Sequence, residues 1–230
     1  MIGPQPSIYL AGIRVDEPIT TLTDLLVAAV CLYAFFQIRK IKQESKMRTY
    51  LQIYFFSMGL ATVLGGLIGH GFLYALPYND VLTVSPWKLP GWITSMVSIA
   101  MIERASIEYA RQHIKPRIGR LFAWINIIEL ITFMVITFST LNFFFVEVHS
   151  AYGLLIIVAG FNLYTYRKTK SNGSKLFLFA VGVSSISALV FMNEIGIHKW
   201  FNHYDISHCL MALSAWLFYK GSILALQEYK

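Results

Sequence analysis

Runs of about 20 predominantly apolar residues recur along the whole chain, separated by short polar clusters. A helix needs about that many residues to cross the roughly 30 Å hydrocarbon core of a bilayer. Seven such runs are readable, at approximately 19–38, 50–76, 90–110, 121–140, 143–165, 175–195 and 204–226. Buried soluble strands would be shorter, and the strands of a membrane barrel would alternate polar with apolar positions. Neither pattern is present. The pattern predicts an all-α integral membrane protein: one seven-helix domain over residues 1–230 with short loops.

Composition agrees. Hydrophobic residues make up 56% of the chain and charged residues 13%, against about 25% charged in soluble domains. The N-terminal stretch MIGPQPSIYLAGIRVDEP has no basic segment leading into an apolar one, so it does not read as a cleaved signal peptide. Cys31 and Cys209 both fall in predicted spans, which gives neither a disulfide framework nor a thiolate zinc site.

The net charge of +7 is a topology signal. With seven spans, 16 of the lysines and arginines fall on one side and only Arg14, Lys88 and Lys199 on the other. The positive-inside rule then puts the N-terminus outside and the C-terminus in the cytoplasm. A multi-pass protein of a bacterial inner membrane, in contact with anionic lipid, is the expectation. Nucleic acid is not an expected partner, because the basic loops are short and lack interleaved aromatics.

Against this background the histidines and carboxylates stand out. His70, His149, His198, His203 and His208 all fall at the outer ends of predicted helices or in outer loops, with Asp16, Glu17, Asp24, Asp80, Glu147, Glu194 and Asp205. These residue types coordinate metals and move protons. At about 1.5 Å of rise per residue, Asp24 lies roughly 7 Å down helix 1, while His70 and His208 lie roughly 9 Å down helices 2 and 7. Polar groups at such depth are costly unless paired, coordinated or facing a wet cavity.

Several of these residues also have a purely structural reading. Asn202 is a natural N-cap, which would put Asp205 at the third helical position, where an acid complements the helix dipole. His203 and His198 suit the interface beside Trp200. The GGLIGHGF stretch around His70 predicts close packing through Gly65 and Gly69, a GxxxG pair. Asp24 follows three threonines that can cap helix 1, and Glu17 before Pro18 reads as a helix-start acid. Asn126, Glu129 and Asn162 read as hydrogen-bonders between helices.

Histidines on helix 2 and at the outer start of helix 7 resemble the alkaline ceramidase-like (CREST) superfamily, which includes ceramidases and progestin/adiponectin-type receptors. Its pattern is Ser-x-x-x-His on helix 2, an Asp near helix 3 and His-x-x-x-His on helix 7, the histidines holding a zinc that activates water. Here His70 matches the helix 2 histidine, with Gly66 in the serine's place. His208 matches the second helix 7 histidine, with Tyr204 in place of the first, and Asp80 stands for the family Asp. The resemblance implies a zinc held by His70 and His208, its third ligand coming from His203, Asp205 or Asp24. The block FNHYDISH…LMALSAWLFYKG also resembles bacterial membrane proteins of unknown function.

The first expectation is therefore a membrane-embedded, zinc-dependent hydrolase of a lipid amide or ester. His70, His208 and His203 would be its candidate metal ligands, and Asp24 and Asp205 its candidate catalytic carboxylates. The alternative is a non-enzymatic receptor, sensor or assembly subunit with an outward-facing polar pocket. A third reading makes His70 and His208 axial ligands of a haem.

Overall fold

The computed structural model describes residues 5–77 and 84–229. Asp80 lies outside the described residues. Seven helices follow one another: α1 (Pro18–Arg39), α2 (Lys46–Gly71), α3 (Leu89–Ala110), α4 (Pro116–Thr140), α5 (Phe144–Thr169), α6 (Asn172–Met192) and α7 (His203–Glu228). Among the described residues all but α3 are both long and apolar enough to cross a membrane, so the chain is a multi-pass helical protein. α3 is long enough at 22 residues, but its hydropathy is lowered by polar groups. Those groups, Ser98, Glu103 and Ser106, are buried inside the bundle, so α3 is solvated by protein.

The helix ends differ from the sequence pattern in an understandable way. α2 begins at Lys46, where the Ser45 side chain accepts from the Arg48 N–H, and α4 begins at Pro116. Both starts lie in polar residues that an apolar count passes over. α2 ends at Gly71, five residues earlier than expected, and gives way to a 3₁₀ turn at Leu73–Ala75.

Two helices change winding. α2 is α-helical to Leu64 and π-helical over Gly65–Gly71. α5 is α-helical at both ends and π-helical over Tyr152–Val158. Such π segments are rare and concentrate at functional sites.

The packing order is a closed ring. α1 lies between α7 and α2, α2 packs on α3, α3 on α5, α5 on α6, and α6 on α7. α4 sits outside this ring against α3 and α5. Its exposed Leu121, Trp124, Ile128, Ile131, Val135 and Phe138 form a lipid-facing stripe at helical spacing. The core is built by Val27, Cys31, Leu51, Phe55, Ile102, Phe177 and Phe218 from five of the ring helices, α1, α2, α3, α6 and α7.

An element that the apolar pattern did not announce precedes α1. Strands β1 (Ile8–Leu10) and β2 (Ile13–Val15) pair antiparallel, Ile8 opposite Val15 and Leu10 opposite Ile13. Ala11 and Gly12 join them with φ of 49° and 82°, the left-handed pair that a two-residue hairpin turn requires. The Asp16 N–H donates to the Gly71 carbonyl at 3.0 Å. This hairpin thus caps the end of the bundle where α1 and α7 begin and α2 ends.

Candidate functional site

At that hairpin end Asp24, His70 and His208 meet. Asp24 on α1 is 4% exposed. His70 Nε2 stands 3.9 Å from its Oδ2, and His208 Nε2 stands 3.5 Å from its Oδ1. Three groups expected at one depth on three helices are brought together, because α1 lies between α2 and α7 in the ring.

The glycines make the approach possible, though in a different register from the expected GxxxG pair. A side chain at Gly69 would meet nothing within 4 Å, whereas a Cβ at Gly66 would lie 2.9 Å from Asp24 Cβ and 3.1 Å from the Thr21 carbonyl. Gly71 packs on the Thr21 hydroxyl in the same way. π winding places residues five apart on one face, so Gly66 and Gly71, not Gly65 and Gly69, make the close contact. The Thr21 hydroxyl donates to the Gly66 carbonyl at 3.1 Å and ties the two helices at this level.

The hydrogen bonds fix which imidazole nitrogens carry protons. His70 Nδ1 donates to the Glu17 carboxylate in a short contact. The Thr23 hydroxyl spends its only proton on the Thr20 carbonyl, at 3.0 Å. It therefore accepts from His208 Nδ1, 3.1 Å away. Each neutral imidazole thus presents an Nε2 lone pair to the Asp24 carboxylate, whose Oδ2 has no hydrogen-bond partner. In that neutral form the three acceptors need a cation between them, which either a metal ion or a proton on an Nε2 or on the carboxylate supplies. Glu17 also stays charged. Burial pushes its carboxyl up, but the hydrogen bond from His70 and the nearby positive charge of Lys88 hold it below its ordinary value.

A cavity of about 670 Å³ opens beside His70, the member of the trio that lines it, within the usual range for small-molecule sites. Asp16, Glu17, His70, Tyr74, Lys88 and Tyr204 contribute to its wall. The Tyr204 ring lies 5.5 Å from that of His70.

Two expected site residues are placed elsewhere. His203 lies against Tyr204 and Phe191 at ring distances of 4.2 and 5.9 Å, on the side of α7 that meets α6. Five residues at 100° each carry it well around the helix from His208. Asp205 is fully buried and its oxygens are occupied. It accepts from the Asn202 N–H at 2.7 Å, the Thr20 hydroxyl at 2.9 Å and Gln5 Nε2 at 2.7 Å. With Asn202 it forms a capping box that starts α7 and holds the N-terminal segment down. Asp205 is therefore a structural acid.

The donor types at Asp24, His70 and His208 fit a catalytic zinc, which commonly takes two imidazoles and a carboxylate and keeps one open position. Bonds of about 2.1 Å at a tetrahedral angle put donor atoms about 3.4 Å apart, whereas the 3.5 and 3.9 Å seen here run from the two imidazoles to different oxygens of Asp24. Ligating histidines also have the second nitrogen held by a carboxylate or another acceptor, as Glu17 and Thr23 do. The trio remains open. Its rings meet opposite oxygens of Asp24 with centroids 6.2 Å apart. Among the described residues, the group with all donor atoms within 4.8 Å of one another is a different one: Glu103, Glu129 and His149. The Asp24 carboxylate stands between the two imidazoles, where a haem plane would have to pass, so the haem reading gains no support.

The sequence reading passed over Glu17 and Thr23 as parts of the site, and Glu103 and His149 as partners of Glu129. Glu17 and Thr23 had ready explanations as helix-start residues. His149 falls among the outer helix ends and loops in the sequence and Glu103 next to the basic Arg104, yet the bundle brings both beside Glu129.

The chain belongs to a family of unknown function, DUF6962, whose profile matches residues 19–227. That span includes Asp24, His70 and His208. No curated protein and no solved structure matches the chain.

Proposed function

We propose that this DUF6962 member is a membrane-embedded hydrolase of a lipid amide or ester, centred on Asp24, His70 and His208 beneath the hairpin cavity. The observation that carries this reading is the convergence of two imidazole Nε2 atoms on one buried carboxylate, whose Oδ2 has no hydrogen-bond partner. The earlier likeness to the ceramidase-like superfamily points the same way through His70 and His208.

All seven helices cross the membrane in this reading. α3 runs through the bundle interior, and the N-terminus lies outside, as the segregation of basic residues supports. The cavity then opens toward the outer surface of a bacterial inner membrane. When bound, zinc would lower the pKa of a water toward neutral and polarise a carbonyl oxygen. His70, His208 and Asp24 would hold it. Glu17 and Thr23 set the tautomers and aim both Nε2 atoms. Tyr204 stands beside His70 on the cavity wall, where its hydroxyl can orient a carbonyl. Leu73 and Val84 face the cavity together with Ser85 and Lys88. That mixed lining suits a polar head joined to an acyl group.

The test is hydrolysis of a panel of fluorogenic N-acyl and O-acyl lipids by detergent-purified protein supplied with zinc. Turnover by the wild type that falls at least about 100-fold in His208→Ala and Asp24→Asn is expected, from loss of a ligand to the activating ion. No turnover by zinc-supplied wild type would overturn the enzyme reading and leave a receptor, sensor or assembly subunit.

A further inference from the structure

A second polar cluster lies inside the bundle, where α3, α4 and α5 meet. Glu103 on α3 and His149 on α5 are both 0% exposed, and Glu129 comes from α4. One donor atom from each lies within 4.8 Å of the other two.

The bonding around His149 fixes its chemistry. Its Nε2 is 3.0 Å from the Met96 carbonyl, which can only accept, so Nε2 carries the proton. In the neutral ring Nδ1 then presents a lone pair, and it faces Glu129 Oε1 at 2.5 Å. At that distance either a shared proton or a cation beside the two atoms joins the lone pair and the carboxylate oxygen. Glu103 Oε1 and Glu129 Oε2 are buried without hydrogen-bond partners. The second Glu103 oxygen accepts from Asn126 Nδ2 at 3.1 Å, which orients the carboxylate.

The backbone has been shaped around these atoms. A Cβ at Gly153 would lie 2.4 Å from Glu103 Oε1 and 2.5 Å from Ile99 Cγ2. Gly153 belongs to the π segment Tyr152–Val158 of α5, so both π segments among the described residues border a His/carboxylate cluster. Two carboxylates in a membrane interior are costly unless their charge is balanced. One proton satisfies one contact and leaves the other oxygens bare, whereas a divalent ion balances both carboxylates around a neutral imidazole.

We propose that Glu103, Glu129 and His149 form a second metal site, binding a divalent transition ion such as Zn²⁺, Mn²⁺ or Fe²⁺ through carboxylate oxygen and imidazole Nδ1. The Nε2–H bond to a backbone carbonyl is the outer-shell contact that ligating histidines make. The site is separate from Asp24, His70 and His208 and does not depend on their function.

Co²⁺ is the probe. Chelator-treated, detergent-purified protein is titrated with it while visible d–d bands and bound metal per chain are measured. His208→Ala is expected to retain one equivalent and its bands. Glu129→Gln and Gly153→Ala are expected to lose that equivalent, with affinity down at least about tenfold. Retention of the full metal content by folded Glu129→Gln would overturn the proposal, as would the absence of any bound Co²⁺ in His208→Ala. Should Glu129→Gln fail to fold, the titration of His208→Ala still decides: one equivalent supports the site and none refutes it.

Discussion

At the residue scale, the difference between a polar group that builds the fold and one that builds a site lies in its unused bonding capacity. Asp205 and Asp24 are both buried aspartates near the hairpin end. Asp205 spends its oxygens on Asn202, Thr20 and Gln5. Asp24 keeps Oδ2 free and faces two imidazoles. Depth along the helix, legible in the sequence, put Asp24, His70 and His208 at one level, but their convergence depends on helix order, which the sequence does not carry. It could not separate Asp205 from them, because bonding capacity depends on chain segments up to 200 residues away. Thr23 is the sharpest check of the tautomer argument. Thr23→Val keeps the shape but removes the acceptor for His208 Nδ1. Metal affinity at this site, measured by chelator competition, is expected to fall about 10- to 100-fold, the usual effect of losing an outer-shell partner. Unchanged affinity would show that Thr23 does not orient the ring. Glu17 gives a pH prediction. Its folded-state pKa lies below the ordinary 4.5, so its stabilisation is fully present above that value and is lost as pH falls through the lower, folded one. Glu17→Gln should therefore show a shallower loss of thermal stability than wild type as pH falls below about 4.5. Parallel curves would contradict the assignment.

At the element scale, the two π segments explain what periodicity could not show. An apolar run fixes that a helix exists, but hydropathy is blind to an extra residue per turn. The shift from Gly65/Gly69 to Gly66/Gly71 as the contact pair follows from that extra residue. It separates two otherwise similar substitutions. Gly66→Ala puts a methyl 2.9 Å from Asp24 Cβ and 3.1 Å from a backbone carbonyl, so α1 and α2 must part. A loss of about 1–3 kcal/mol is expected for such overpacking, with weakened metal binding as Asp24 moves. Gly69→Ala meets nothing and should be neutral or slightly stabilising, by up to about 1 kcal/mol from the helix preference of alanine over glycine. Thermal unfolding of both variants in the same detergent distinguishes them, and equal losses would restore the GxxxG register.

At the scale of the whole molecule, the sequence conveyed that the chain is a bundle of membrane-length helices, because lipid imposes length and apolarity on every span. It did not convey the ring order or the position of α4 outside it, which depend on side-chain fit between helices. It also missed the hairpin, whose strands are only three residues each. That hairpin makes the proposed orientation testable, since it lies at one end of the bundle and the loop between α1 and α2 at the other. In a background with Cys31 and Cys209 replaced by alanine, Tyr9→Cys places a thiol at a position 71% exposed in β1. Lys42→Cys places one in the basic α1–α2 loop. A membrane-impermeant maleimide applied to intact cells is expected to label Tyr9→Cys at once and Lys42→Cys only after permeabilisation. The reverse pattern would turn the molecule over and open the cavity beside His70 to the cytoplasm. Its lipid substrate would then come from the inner leaflet, and the basic residues would mark the outer face against the positive-inside rule.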